Sequence, residues 1–384
     1  MKLLDYPLHI APRAVYDRAV RLGLAKPVSP LALTFSVTAA CQSCCKTCRI
    51  GERHQADPGI AARDLSLEEI ERVFASCGPV YFFNISGGEP FLRPDLADII
   101  RLACVHMKPR LIHISTNALA PARIERTTRE ILAAMDRFAG PGVPISIKPS
   151  IDGLGERHDA IRGVEGNFRS LERTLDALLA IRAEHPRLHV DLGTVISRFN
   201  IDHLDEVEDW VHARGIESYR HEIAEQRAEF HNLDDSIAPS VDEYAALVLR
   251  FKRKIIDNLA GKAWLTRTTE AVRLVYYDVT VQILREQRQI TPCFAGSSSV
   301  HLNHDGQLWP CCVLGGQQAL GQVREAGYDL MAVLRSERAD VVRQYIAAKR
   351  CACPMANMWL TNILLTPRHM AKVVATMLRA GLAG

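Results

Sequence analysis

From residue 31 to about 225 the chain alternates short apolar, β-branched runs with helical patterns. The strand candidates are "LALTFSVT", "VYFFNIS", "RLIHIS", "VPISIKPS", "LHVDLGTVIS" and "ESYRHEIA". Between them lie "SLEEIERVFASC", "RPDLADIIRLACVH", "ARIERTTREILAAMDRF", "NFRSLERTLDALLAIRAE" and "HLDEVEDWVHARG", each with helical periodicity. Ser66 and Glu69 in "SLEE" have the form of a capping box. Such alternation demands a parallel sheet with crossover helices. The strands read as nearly continuous apolar runs, as when both faces are covered. A doubly wound sheet and a partial barrel both satisfy the pattern. No "GxGxxG" follows the first strand, which argues against dinucleotide binding.

Beyond residue 225 the character changes. Two long helical patterns, "SVDEYAALVLRFKRKIIDNLA" and "TEAVRLVYYDVTVQILREQR", fill 226–290. A Gly- and Cys-containing region follows, and the amphipathic "PRHMAKVVATMLRAGLA" ends the sequence, expected to dock on the core. The expected organisation is an extension at 1–30, a barrel at 31–225, a helical wall at 226–290, a small module at 291–360 and a helix at 361–384. The chain has 47 basic and 44 acidic residues, a net charge of +3 that gives no reason to expect a nucleic acid partner. No apolar run approaches the roughly 18 residues of a membrane span, and the first residues lack a signal-peptide core. A cytoplasmic location is therefore expected.

Eleven cysteines in such a chain favour metals over disulfides. Cys77 and Cys104 stand alone and read as buried thiols. Cys41, Cys45 and Cys48, in "CQSCCKTC", have the spacing C-x3-C-x2-C directly after the first strand. Parallel α/β folds place their chemistry at that edge. Close thiolates suit zinc or an iron–sulfur cluster, and three ligands leave one position open. "SGGEP" at 86–90 closes the second strand; its glycines allow close backbone approach and its carboxylate suits a cation. "STN" at 115–117 ends the third strand, and "KPSIDG" with "RHDAIRG" follows the fourth.

Together these segments resemble the radical S-adenosylmethionine (radical SAM) superfamily. The resemblance covers about residues 32–225 and implies a partial (β/α)6 TIM-like barrel. It implies that Cys41, Cys45 and Cys48 hold a [4Fe–4S] cluster, with Cys44 a bystander. S-adenosylmethionine would occupy the open iron and be cleaved reductively to a 5′-deoxyadenosyl radical. Gly87, Gly88 and Glu89 would take its ammonium, and Ser115, Asn117 and Ser150 would make polar contacts. Arg162 would meet its carboxylate, and Asp152 its ribose or the substrate. Thr194 and Val195 would flank the adenine. Thr47, before the last cysteine, departs mildly from the aromatic residue common there.

"PCFAGSSSVHLNHDGQLWPCC" contains C-x12-G-x4-C, from Cys293 through Gly306 to Cys311, and reads as a hairpin turning at "HDG". With "CACP" at 351–354 it resembles the SPASM/twitch extension, which binds auxiliary iron–sulfur clusters. The implied ligands are Cys293, Cys311, Cys351 and Cys353, with Cys312 in reserve. A full SPASM module carries more than the five cysteines here, and Asn357 stands where a further one would fall. One auxiliary [4Fe–4S] cluster is therefore expected, with a four-cysteine zinc site the alternative.

The expected function is hydrogen abstraction from an unactivated carbon, the auxiliary cluster taking the substrate electron or holding the substrate. A non-catalytic zinc or iron–sulfur protein is the rival reading. The resemblance also implies an external one-electron reductant such as flavodoxin or ferredoxin. Peptide-modifying relatives often carry an N-terminal leader-binding domain, and the cluster loop here begins at 41; a small-molecule substrate is therefore expected, with a peptide the alternative. In "YRHEIAEQR", Tyr219, His221 and Glu222 are candidate catalytic groups, and alternation puts Glu222 on the face opposite the other two.

Overall fold

The computed structural model describes residues 6–216, 218–261, 264–354 and 356–382. Strands β1 (Ala32–Ser36), β2 (Phe82–Ser86), β3 (Leu111–Thr116), β4 (Ile145–Pro149), β5 (Leu188–Val190), β6 (Leu192–Ile196) and β7 (Tyr219–Ile223) follow the expected order. Neighbours pair in parallel, with Phe35 opposite Ile85, Ile85 opposite Ile114 and Ile114 opposite Ile147. These residues are fully buried or nearly so, beneath the crossover helices. The result is the partial six-unit barrel.

The fifth strand is expected as one run, but it breaks at Asp191 into β5 on β4 and β6 on β7. The Asp191 carboxylate accepts hydrogen bonds from Ser146 Oγ (2.6 Å) and Arg220 Nη2 (2.8 Å). A side chain held this way leaves the local pleat. A bridge between Ser150 and Gly193 keeps the two halves of the wall joined.

The hairpin is present as β8 (Ser299–Leu302) and β9 (Gln307–Trp309), with a short β10 (Gly321–Gln322) on its outer edge. β8 also pairs in parallel with β1, so the sheet order runs β10-β9-β8-β1-β2-β3-β4-β5. The C-terminal module is thus continuous with the barrel wall. A second tie is Glu69. It closes the capping box with Ser66, its carboxylate accepting from Ser66 N (2.8 Å), and also binds Arg324 (2.7 Å) and Tyr328 (3.0 Å). Arg324 holds the Glu69 carboxyl down to about 2.

The helix Trp264–Glu286 lies under the barrel, with Val241–Asp257 beside it. The C-terminal helix Pro367–Leu382 docks on Trp264–Glu286, as its apolar face predicts. Among the described residues no helix is long and apolar enough to cross a membrane. Cys77 and Cys104 are buried thiols, pushed up to about 12 and about 11 by burial.

Candidate radical SAM site

The cysteine loop runs over the C-terminal ends of β1 and β2. Gly88 N donates to Thr38 O and Glu89 N to Ala40 O, each at 2.8 Å. A Cβ on Gly88 would collide with Ala40 O, and one on Gly163, whose φ is +68°, with Cys44 O. The loop is therefore wedged between the turn after β2 and the one after the helix Glu156–Arg162. Gly163→Val adds both a steric clash and backbone strain. It is expected to cut iron content after anaerobic reconstitution by more than half, measured by iron and sulfide analysis; full content would show that the loop yields.

Cys41 is buried, and Cys45 and Cys48 are partly so. Burial pushes Cys41 up to about 12 and raises Cys45 and Cys48 as well; Cys45 adds to the rise at Cys41, and Cys45 and Cys41 to that at Cys48. Arg162 lies beside Cys41 and Cys45. Three desolvated thiols on one loop suit a cationic group that replaces their protons. This donor set fits a cluster bound by three protein sulfurs. Asn117 Nδ2 lies 3.9 Å from Cys41 Sγ and donates to Ser43 Oγ at 3.0 Å.

One cavity of about 210 Å³ adjoins the cysteines and is lined by Gly87, Gly88, Glu89, Ser115, Asn117, Ser150, Arg162, Thr194 and Val195. Glu89 is 2% exposed. Its carboxylate accepts from Thr116 Oγ1 (2.9 Å), Phe91 N (3.1 Å) and Asn117 N (2.7 Å). Burial pushes its carboxyl up despite those bonds. A ligand ammonium is the complement such a site favours. Asp152 does not line the cavity. Its carboxylate takes Arg162 Nη1 (3.0 Å) and Val195 N (2.9 Å), so it aims Arg162 from behind. Removing it leaves Arg162 an uncompensated buried charge. Asp152→Ala is expected to cost about 3–5 kcal/mol, read from a urea midpoint; an unchanged midpoint would show that the pair holds nothing.

The strand β7 divides as alternation predicts. Glu222 and Arg220 face into the barrel and line both the upper cavity and a lower one of about 220 Å³. Tyr219 lines neither: it is buried behind the wall, its hydroxyl 2.6 Å from Thr194 Oγ1. His221 touches the lower cavity but stacks on Phe251 (4.2 Å) and meets Tyr277 Oη at 2.7 Å. Burial keeps it neutral. Asn84, His113 and Lys148 also line both cavities and were not singled out from sequence. Their signal was a polar residue at an inward position of an otherwise apolar strand. The lower end is closed by Arg273 and Tyr276 of Trp264–Glu286 and by Trp359, so that helix is part of the wall as expected.

In the C-terminal module burial raises Cys293, Cys311 and Cys351, pushing Cys311 up to about 12; Cys293 and Cys351 lie close enough to raise Cys311 further, and Cys293 to raise Cys351. Cys353 is partly buried in the same core. Cys312 points elsewhere, its Sγ 2.8 Å from His301 Nδ1. The side chain of Asn357 lies outside the described residues.

Residues 35–211 match the family model for the radical SAM superfamily, and residues 293–354 match SPASM, described as an iron–sulfur cluster-binding domain. Mycofactocin maturase MftC of Mycobacterium ulcerans (strain Agy99) is 31% identical over 182 residues, 46% of this chain and 43% of that protein. The AdoMet-dependent heme synthase of Methanosarcina barkeri (strain Fusaro / DSM 804) is 26% identical over 193 residues, half of each chain. The chain spans less than half the length of the mycofactocin maturases it matches. Streptococcus suis SuiB bound to S-adenosylmethionine superposes with a TM-score of 0.58 at 16% identity, over 87% of this chain and 72% of that one. The structure of anSMEcpe with AdoMet and the Cp18Cys peptide gives 0.57 at 12%, over 91% and 99%. The first matched family is named for S-adenosylmethionine radical chemistry, and the second is a domain that binds iron–sulfur clusters. The order of the strands, the cysteine loop at their ends and both matched segments agree: residues 35–211 are a domain of the radical SAM superfamily, and residues 293–354 a SPASM iron–sulfur domain.

Proposed function

We propose that this radical SAM enzyme oxidises a peptide segment inserted into the barrel. Cys41, Cys45 and Cys48 hold the first cluster, and Cys293, Cys311, Cys351 and Cys353 the auxiliary one. When bound, the first cluster and S-adenosylmethionine supply a 5′-deoxyadenosyl radical that takes hydrogen from an unactivated carbon. Glu89 receives the ammonium of S-adenosylmethionine, and Arg162, aimed by Asp152, its carboxylate. Ser115, Asn117 and Ser150 orient its polar edge, and Thr194 and Val195 flank its adenine.

The observation that carries the reading is that the two cavities adjoin, Asn84, His113, Lys148, Arg220 and Glu222 lining both. A substrate carbon in the lower cavity reaches the cofactor through this polar ring. About 220 Å³ is smaller than the roughly 300–1,000 Å³ of free small-molecule sites, and suits a side chain presented by a longer segment. SuiB was solved with its precursor peptide and anSMEcpe with the Cp18Cys and Kp18Cys peptides, which agrees. This moves the substrate from the small molecule expected from sequence to the peptide alternative. The heme synthase and a GTP 3′,8-cyclase among the relatives keep the small-molecule reading as the competitor.

Glu222 is the proposed proton acceptor. Burial raises its carboxyl, but Lys148, whose Nζ is 3.5 Å from Oε1, Arg227 and Arg220 together hold it below its usual value. It is thus anionic at neutral pH. As pH falls through that depressed value the base is lost, and turnover falls with it. Glu222→Gln is expected to lower product formation by about 10²–10⁴-fold while sparing reductive cleavage of S-adenosylmethionine. Equal losses in both would assign Glu222 to the cofactor instead.

The test is isotope transfer. A uniformly deuterated candidate precursor peptide is incubated with reconstituted enzyme, S-adenosylmethionine and dithionite. Deuterium in 5′-deoxyadenosine supports the peptide reading. Transfer only from a deuterated small-molecule extract would overturn it.

A further inference from the structure

Beside the cysteine loop, within electrostatic reach of Cys48, three buried groups from three segments meet. Glu229 sits in the turn Ala228–Phe230, His301 in β8, and Cys312 in the chain leaving β9. One ligand atom from each lies within 4.8 Å of the other two, the one such grouping of three among the described residues. His301 is fully buried, and Glu229 and Cys312 are 7% and 3% exposed.

We propose that Glu229, His301 and Cys312 bind a single divalent cation of the zinc type, distinct from both iron–sulfur clusters. The donor set is one carboxylate, one imidazole and one thiolate, all ligands zinc accepts. Two anionic donors and one neutral one balance the charge of the ion, which replaces the thiol proton. Ser36 Oγ lies 2.8 Å from His301 Nε2 and 3.4 Å from Glu229 Oε1. In the tautomer the site requires, it accepts the Nε2 proton and donates its own to the carboxylate. That fixes the tautomer and leaves the Nδ1 lone pair facing Cys312 Sγ at 2.8 Å, as the supporting partner of a metal-bound histidine does. Trp309 covers the ring, its centroid 5.1 Å away. Ser36, Glu229 and Trp309 also line a cavity of about 540 Å³, from which a water completes the coordination.

The assignment rests on the auxiliary ligand set above, which takes Cys311 and leaves Cys312. The chain turns at once after β9, Gly315 N donating to Cys311 O (3.0 Å), and the turn parts the two neighbours. Cys311 reaches Cys293 and Cys351, and Cys312 reaches His301. The ion would staple the hairpin to the barrel turn that also supports the first cluster loop. Arg49 N donates to Phe230 O (3.0 Å) and Asn232 Nδ2 to Thr47 O (2.8 Å) across that junction.

The test uses full-length holoenzyme with both clusters assembled anaerobically, exposed to one to two equivalents of Zn²⁺ and desalted. Parent protein is expected to keep about one zinc per chain beside its iron, with one sulfur and otherwise nitrogen and oxygen ligands at about 2.0–2.3 Å in its zinc-edge absorption spectrum. Cys312→Ser and His301→Ala should each cut zinc by at least tenfold with iron and sulfide unchanged. Glu229→Gln, the mildest change, should weaken retention and remove an oxygen from the spectrum. Parent protein that keeps no zinc, or variants that keep it, would overturn the site. So would a shell of four sulfurs, which places zinc on the auxiliary cysteines. Loss of about four irons from Cys312→Ser would instead make Cys312 an auxiliary cluster ligand and refute the ligand set on which the site rests.

Discussion

Replacing Cys41, Cys45 and Cys48 together by alanine is expected to remove about four of about eight irons per chain and to bring 5′-deoxyadenosine formation to background. The three thiols share one loop and one desolvated environment, so no neighbouring donor replaces them. Cys44 is the internal control. Its carbonyl is pressed against Gly163, which fixes its backbone, and its side chain is only half-buried. Cys44→Ala should leave iron content and cleavage within twofold of the parent. Loss of the first cluster in that variant would show that the ligand assignment is displaced by one residue.

The auxiliary module carries the second large effect. Cys351→Ala with Cys353→Ala should remove about four irons and spare the rest, because Cys351 lies with Cys293 and Cys311 in the C-terminal module, apart from the first cysteine loop, and Cys353 is proposed as their fourth partner. Reductive cleavage of S-adenosylmethionine should persist, since it needs only the barrel site. Substrate conversion should fall to background, because the substrate radical loses its electron acceptor or its anchor. Metal binding energy is partly folding energy, so a circular dichroism melt accompanies the assay. A folded double variant that converts substrate at the parent rate would end the oxidative reading.

The barrel was legible because buried parallel strands write themselves as apolar runs such as "VYFFNIS" and "RLIHIS". The break at Asp191 was not, because its cause is a pair of distant partners, Ser146 and Arg220. The pairing of β8 with β1 was equally hidden: local pattern shows a hairpin, but nothing local says which edge it joins. At the site, motif residues such as Glu89 and Arg162 could be placed by their position at strand ends. Alternation separated Glu222 from Tyr219 and His221. Which face looks inward was decided by Phe251 and Tyr277, on helices far along the chain, packing against His221. Asp152 looked like a cofactor contact because it neighbours Ser150. Its bond to Arg162 turns it into that residue's support. Cys311 and Cys312 are indistinguishable by composition, and the turn that follows β9 sends them apart.

The most direct test of the account is a single assay: anaerobically reconstituted protein with its iron and sulfide counted, incubated with S-adenosylmethionine and dithionite, with 5′-deoxyadenosine followed by chromatography and mass spectrometry. The account predicts 5′-deoxyadenosine above the protein-free background, dependent on dithionite, and lost in Glu89→Ala as well as in the triple cysteine variant. A preparation that holds about eight irons yet forms no 5′-deoxyadenosine would contradict it and leave a cluster-bearing protein without radical chemistry.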